Sequence, residues 1–270
     1  MPTYMRPSRS VMPVRSNALK RKLKQGRSVF GPFMMIASPA AAEVVAASGF
    51  DFCLFDMEHG TLDIETVENC LRACDLQGVV GLVRAPDGSP QTVSKILDAG
   101  AGGILVPHVK SAAEAAAAVS AMTFGPPGTR GINAVSRAAN YGQCDYLRFF
   151  RESDQETLIM IQIEDREAVD ELDAIAAVPG LDVIFCGPYD LSRSLGHIGR
   201  PDHPEVKGVV ERIIAAAAAK PDCVPGIYVG SPEGAAERQA RGARLFAYGG
   251  DVGFLGEGAK AAFEGIVHLR

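Results

Sequence analysis

A chain of 270 residues with 47% apolar and 22% charged side chains has room for one large domain or two small ones, and its composition is that of an ordinary globular protein. The net charge of −5, from 27 basic and 32 acidic residues, argues against a nucleic-acid partner. No apolar run reaches transmembrane length, so no membrane partner is expected. The six cysteines form no CxxC pair, and Cys53, Cys186 and Cys223 fall in or beside apolar runs; reduced, buried thiols and a cytoplasmic location are expected.

The first 27 residues carry eight basic side chains, and no acid precedes Glu43. Acid-poor, Arg- and Ser-rich starts occur in transit peptides, but residues 11–16 show no amphipathic stripe. Residues 1–17 therefore read as a flexible basic tail, leading into a short surface helix over SNALKRKLKQG. Apolar runs then alternate with helical patterns. VFGPFMMIAS (29–38) precedes PAAAEVVAASG, FDFCLFDMEHG (50–60) precedes IETVENCLRACDLQG, VVGLVRAP (79–86) precedes SPQTVSKILDAG, and GGILVPHV (102–109) precedes SAAEAAAAVSAM. Residues 124–157 read as one long irregular piece, because Pro126, Pro127, Gly128 and Gly131 exclude a regular helix at its start. LIMIQIE (158–164) then precedes REAVDELDAIAAVPG, and LDVIFCGPYD (181–190) precedes PEVKGVVERIIAAAAAK after a loop. CVPGIYVG (223–230) precedes SPEGAAERQARG, and RLFAYGGD (244–251) precedes FLGEGAKAAFEGIVHL.

The strand candidates are near-continuous apolar runs, as parallel strands covered on both faces should be. The helical stretches show three-to-four spacing. Eight such units in some 250 residues are the count and length of a (β/α)8 TIM barrel, expected here as a single domain over residues 18–270. An open doubly wound sheet is the alternative, but the GxGxxG turn that usually marks it is missing.

In a barrel, chemistry sits at the C-terminal ends of the strands. Asp56, Glu58 and His59 stand after the second strand and Arg84 ends the third. His108 follows Pro107 after the fourth and reads as structural or pocket-lining. Gln162 and Glu164 end the fifth. The sixth ends in Gly187, Pro188, Tyr189 and Asp190, and the eighth in Tyr248, Gly249, Gly250 and Asp251. Glu164 and Asp190, from neighbouring strands and with no CxxC or HExxH nearby, suit a hard divalent cation such as Mg²⁺ or Mn²⁺. Arg84 supplies a fixed positive charge for a developing enolate oxygen, and His59 suits a general acid or base. No lysine stands at a strand end, so a Schiff-base route has no nucleophile. Taken singly, Glu164 could be a first-turn helix acid, Asp190 an N-cap and His59 a turn residue. Arg130 in GTRG could bind an anionic substrate end or anchor its loop.

FDFCLFDMEHG, GLVRAP, ILDAGAGGILVPHV, GPPGTRG, MIQIEDREAVDELDAIAAVPGLDVIFCGPYDLSRSLG and HPEV together resemble the pyruvate-dependent class II aldolases of the HpcH/HpaI aldolase/citrate lyase family, of the 2,4-dihydroxyhept-2-ene-1,7-dioate aldolase type. The likeness implies a divalent-metal enzyme (Mg²⁺, Mn²⁺ or Co²⁺) that reversibly cleaves a 4-hydroxy-2-oxo acid to pyruvate, or a close analogue, and an aldehyde. By that resemblance Glu164 and Asp190 match the metal ligands, Arg84 the enolate-stabilising arginine, and His59 with its neighbour Asp56 the acid/base pair. Gln162 matches a pyruvate contact, and Gly187, Pro188 and Tyr189 the substrate-carboxylate cradle. Asp98 matches an aspartate that reaches the histidine of an adjacent subunit. It also implies a homo-hexamer, a trimer of dimers with exchanged C-terminal helices. The alternatives it leaves open are an oxaloacetate decarboxylase or macrophomate-synthase-like lyase and a CoA-thioester lyase of the citryl or malyl type. Two positions depart from the family pattern: Tyr189 stands where a small residue is usual, and the eighth strand ends in AYGGD where a valine-rich segment is common.

Overall fold

The computed structural model describes residues 16–270, so residues 1–15 of the expected tail lie outside the described residues. The chain opens with α1 (Ala18–Lys24), then β1 (Val29–Met34), α2 (Pro39–Ala46), β2 (Phe52–Asp56), α3 (Ile64–Leu76), β3 (Val80–Arg84), α4 (Pro90–Asp98), β4 (Gly103–Val106) and α5 (Ala112–Met122). It continues through α6 (Tyr146–Glu156), β5 (Leu158–Ile163), α7 (Arg166–Asp170), α8 (Leu172–Ala176), β6 (Val183–Cys186), α9 (Pro188–Ser194), α10 (Pro204–Ala218), β7 (Val224–Val229), α11 (Pro232–Ala240), β8 (Leu245–Gly250) and α12 (Asp251–Ile266). The eight strands pair in parallel in chain order, and β8 closes on β1. The expected (β/α)8 barrel is the observed fold.

Strand side chains alternate between two faces, and here each face has its own core. Phe52 and Leu54, Leu82, Leu105, Leu158 and Met160, Val183 and Phe185 fill the inside of the barrel. Their neighbours Cys53 and Phe55, Val83, Ile104, Ile159 and Ile161, Ile184 and Cys186 pack outward beneath the helices. Burial on both sides explains why the strands read as unbroken apolar runs. It also accounts for the thiols: all six cysteines are free, and all but Cys144 are buried. Continuing the inward parity to the C-terminal ends of the strands places Asp56, Arg84, Gln162 and Tyr228 at the upper rim.

Three elements differ from the sequence reading. The first helix is no surface helix: Leu19 and Leu23, one turn apart, enter the inner core from below and close the barrel's N-terminal end. Its basic run concealed this, because only the opposite side is solvated. Lys20 is itself drawn in, with Nζ donating to the Thr157 carbonyl at 2.7 Å and to Asp182 Oδ2 at 2.8 Å. Second, the stretch 124–157 is irregular only in its first part, and α6 occupies its end. Asp145 caps α6 by accepting the Arg148 N–H at 3.0 Å, and Phe149 is buried against Phe124. Third, the helix expected after β5 is broken at Glu171 into α7 and α8.

The last helix, α12, buries only Asp251 along its 16 residues and leaves Val252, Leu255, Phe263 and Ile266 exposed. No described helix is long and apolar enough to cross a membrane.

Candidate active site

A cavity of about 400 Å³ opens at the C-terminal end of the barrel. It is lined by Asp56, His59, Arg84 and Gln162, by Gly187 to Asp190, by Phe33 and Tyr228, and by Gly249 to Gly253. Polar strand ends from β2, β3, β5 and β6 thus meet as the sequence led one to expect. Among the described residues, no lysine lines the cavity.

Asp56 and Arg84 are register partners on adjacent strands. Arg84 Nε donates to Asp56 Oδ1 at 2.9 Å and Nη2 to Oδ2 at 2.6 Å, a two-pronged pairing that fixes the guanidinium plane. Burial by itself would lower the Arg84 pKa, but Asp56, Glu58 and Glu164 together hold it above its ordinary value. Asp56 Oδ1 also accepts the backbone N–H groups of Glu58 and His59, at 3.1 and 3.3 Å. Asp56 therefore shapes the turn that presents His59, whose side chain is exposed at the cavity mouth.

Glu164 is the buried end of β5, 1% exposed. Its Oε1 accepts the His108 backbone N–H at 3.0 Å, and its Oε2 accepts from the Gln162 amide. Burial pushes the Glu164 carboxyl above the ordinary carboxylate range. Gly187 leaves the space this carboxylate needs: a Cβ there would stand 2.5 Å from Glu164 Oε2 and 2.7 Å from Gln162 Nε2. Asp190, in the first turn of α9, lines the cavity with Oδ1 3.3 Å from Arg193 Nε.

His108 was the residue most undervalued by sequence. Its backbone is left-handed, φ 55°, which turns its N–H onto Glu164. Its ring is bracketed by acids, with Nδ1 3.0 Å from Asp165 Oδ2 and Nε2 3.1 Å from Glu58 Oε1. Partial burial would lower the imidazole's pKa, but Asp165, Glu164 and Glu58 together raise it. Donor atoms of Glu58, His108 and Glu164 lie within 4.8 Å of one another, whereas Asp190 stands outside that group. Two buried oxygens beside it have no hydrogen-bond donor, Glu58 Oε2 and Gln162 Oε1, although Arg84 Nη1 forms an ion pair with the former at 3.1 Å. Hard oxygen donors in excess of cations, with Gln162 Oε1 left without a donor, fit a divalent cation.

Asp98 is not at the cavity of its own chain. It ends α4, where Oδ1 accepts from Arg130 Nη2 at 3.2 Å and Oδ2 from Asn133 Nδ2 at 3.0 Å. Arg130, stacked 4.3 Å over Phe124, anchors its loop. Phe33 and Tyr228 belong to the cavity but were missed in the sequence reading. Both sit inside apolar strands, and only the two-residue parity of a closed barrel marks them as inward-facing rim positions.

The profile of the HpcH/HpaI aldolase/citrate lyase family matches residues 29–256. The pyruvate aldolase of Rhizobium etli is 39% identical over 91% of this chain and 95% of its own length. The 4-hydroxy-2-oxo-heptane-1,7-dioate aldolase of Salmonella arizonae is 37% identical over 91% and 92%. A solved HpcH/HpaI aldolase/citrate lyase family protein from Burkholderia cenocepacia superimposes with a TM-score of 0.88 at 32% identity, covering 93% of this chain and 99% of that one. With the barrel, the carboxylate-rich rim and this similarity together, the chain belongs to the HpcH/HpaI aldolase/citrate lyase family and is a carbon–carbon lyase.

Proposed function

We propose that the protein is a divalent-metal-dependent class II aldolase that cleaves a 4-hydroxy-2-oxo acid to pyruvate, or a close analogue, and an aldehyde. The observation that carries this reading is Glu164, a buried carboxylate whose oxygen fills the space left by a glycine, beside a guanidinium locked in place by Asp56. Glu164 and Asp190 would hold the cation, with Glu58 and His108 adjoining Glu164. When bound, the cation supplies Lewis acidity toward the keto and carboxylate oxygens of the 2-oxo acid.

The chain's own groups supply the remaining steps. Gln162 and the backbone of Gly187 to Tyr189 seat the pyruvate portion. Arg84 sets its fixed charge against the keto oxygen, which turns negative as the enolate forms. His59 takes the proton of the 4-hydroxyl, the C3–C4 bonding pair passes into the enolate, and the aldehyde departs. The proton then returns to C3, giving the pyruvate methyl group. Asp98 of an adjacent subunit would steady His59 in an assembly built through α12. A homo-hexamer is the assembly this reading favours, and the exposed apolar side chains of α12 support it.

The test is pyruvate release from a panel of 4-hydroxy-2-oxo acids and oxaloacetate, with EDTA and then with Mg²⁺, Mn²⁺ or Co²⁺ restored. Metal-dependent cleavage of a hydroxy-oxo acid is expected; turnover of oxaloacetate alone overturns the aldol assignment. Glu164→Ala is expected to abolish calorimetric metal binding and turnover while circular dichroism stays unchanged. Full activity of that variant in metal-replete buffer would remove Glu164 from the metal site.

A further inference from the structure

The aldolase reading leaves the aldehyde unnamed, and the outer cavity carries a feature that reading does not use. Four aromatic rings run in a chain from the floor to the mouth. Phe185 packs edge-on against Phe33 at 6.4 Å between centroids, Phe33 lies 6.2 Å from Tyr228, and Tyr228 meets Tyr189 edge-on at 5.9 Å. The inner end is marked by Arg84, whose guanidinium lies 4.7 Å above Phe33, and the outer end by Tyr189, 56% exposed. A carbonyl compound with its reacting end near Arg84 can lay its substituent along these rings toward the exposed Tyr189.

The charges along this path point the same way. Among the described residues lining the cavity, Arg84 is the one lysine or arginine, and Asp56 and Glu58 already engage it. The other charged liners are acids. Asp190 faces Arg193, and Asp251 accepts the N–H groups of Met35 and Ile36 at 3.0 and 2.9 Å. A carboxylate, phosphate or sulfonate tail finds among these described liners no lysine or arginine beyond the Arg84 already engaged. An uncharged ring finds edges and faces at the separations aromatic pairs prefer. No hydrogen bond to another described residue occupies the hydroxyl of Tyr189 or Tyr228, so both can serve a polar ring substituent.

We propose that the outer cavity is an aryl site and that the aldehyde partner is an uncharged aromatic aldehyde, selected by Tyr228 and Tyr189. This rests on the aldolase reading above, and the experiment separates the two. In the synthetic direction, kcat/KM is measured with pyruvate and three aldehydes: benzaldehyde, cyclohexanecarbaldehyde of similar bulk without the ring electrons, and anionic succinic semialdehyde. Benzaldehyde is expected to lead both by about tenfold, the upper end of what an aromatic pair contributes beyond area. The benzaldehyde to cyclohexanecarbaldehyde ratio is expected to collapse toward one in Tyr228→Leu and to survive in Tyr228→Phe. Because the ratio is internal, a general loss of activity does not move it. Equal rates for the two ring compounds, a preference for succinic semialdehyde, or an unchanged ratio in Tyr228→Leu would each overturn the aryl site.

Exchange of the pyruvate methyl hydrogens with D₂O, read by mass spectrometry, reports enolate formation with no aldehyde present. Exchange without an aryl preference overturns the acceptor inference alone. No exchange with Mg²⁺, Mn²⁺ or Co²⁺ overturns the aldolase reading, and with it the aldehyde as the ligand. Saturation-transfer NMR with benzyl alcohol against cyclohexylmethanol then decides the ring site itself: selective transfer to benzyl alcohol, lost in Tyr228→Leu, upholds it, and equal transfer overturns it.

Discussion

At the scale of single residues, space matters as much as charge in this cavity. Gly187 has an ordinary backbone, so its requirement is steric: the Glu164 oxygen occupies the volume a methyl group would take. Gly187→Ala is expected to leave the barrel folded and to weaken metal binding at least tenfold by calorimetry, since the carboxylate must rotate away. Unchanged affinity would show that the carboxylate has slack. His108 gives a second test. Its folded pKa is raised above the ordinary value of about 6.5 by the surrounding acids. The imidazolium therefore stabilises the fold fully below that ordinary value, and the contribution fades as pH rises through the folded pKa. In EDTA-treated protein, the Tm advantage of wild type over His108→Asn, a residue that tolerates the left-handed backbone, is expected to shrink between pH 6 and pH 9. A constant difference would sink this account. Asp56, Arg84 and Glu164 were legible in the sequence because a charge closing an apolar run is conspicuous. Phe33 and Tyr228 were not, because an aromatic inside such a run looks like core. His108 could not be weighed until its left-handed backbone showed which neighbours its ring would meet.

At the scale of elements, α1 shows how a short helix becomes part of a core. Seven residues are too few to be stable alone in water. Its order comes from Leu19 and Leu23 below the barrel and from Asn17. Asn17 caps the helix by accepting the Lys20 N–H at 3.0 Å, while its amide donates to the carbonyls of Gly102 at 2.8 Å and Glu156 at 3.0 Å. Asn17→Ala removes the cap and takes a donor from two half-buried carbonyls, of which that of Gly102 keeps the Leu158 N–H, a loss of about 1–2 kcal/mol. Urea denaturation is expected to show it as a lower midpoint with unchanged slope. A change below 0.5 kcal/mol, the size of an ordinary surface substitution, would mean the helix is held by its leucines alone. The strands and most helices could be read from the chain, because periodicity carries them. The destination of α1 could not, since a basic helix with two apolar positions fits a surface as well as a stopper. The helix α6 was hidden by the proline- and glycine-rich segment ahead of it.

At the scale of the molecule, the closed barrel followed from the repetition of eight units, which needs no knowledge of any single contact. What repetition does not convey is the role of the last helix. α12 leaves the cavity rim at Gly250 and projects with Leu255, Phe263 and Ile266 uncovered, an apolar face that a monomer in water would not favour. On the assembly proposed above, the double variant Leu255→Glu, Ile266→Glu is expected to sediment as a smaller species than wild type at micromolar concentration. It should keep its near-ultraviolet circular dichroism, because neither side chain touches the barrel core. An unchanged sedimentation coefficient would rule α12 out as the assembling surface.

The stopper formed by α1 turns the barrel into a cup. Its interior is filled with side chains up to the layer of Phe185, and the cavity opens only above that layer, past His59, Tyr189 and Val252. For the proposed reaction this implies a sequence of events. If the pyruvate unit is seated at Arg84 and Gln162 on the closed side, as proposed above, cleavage is expected to release the aldehyde first and pyruvate second. Synthesis is then expected to load them in the reverse order, with excess aldehyde barring the way to an empty cup.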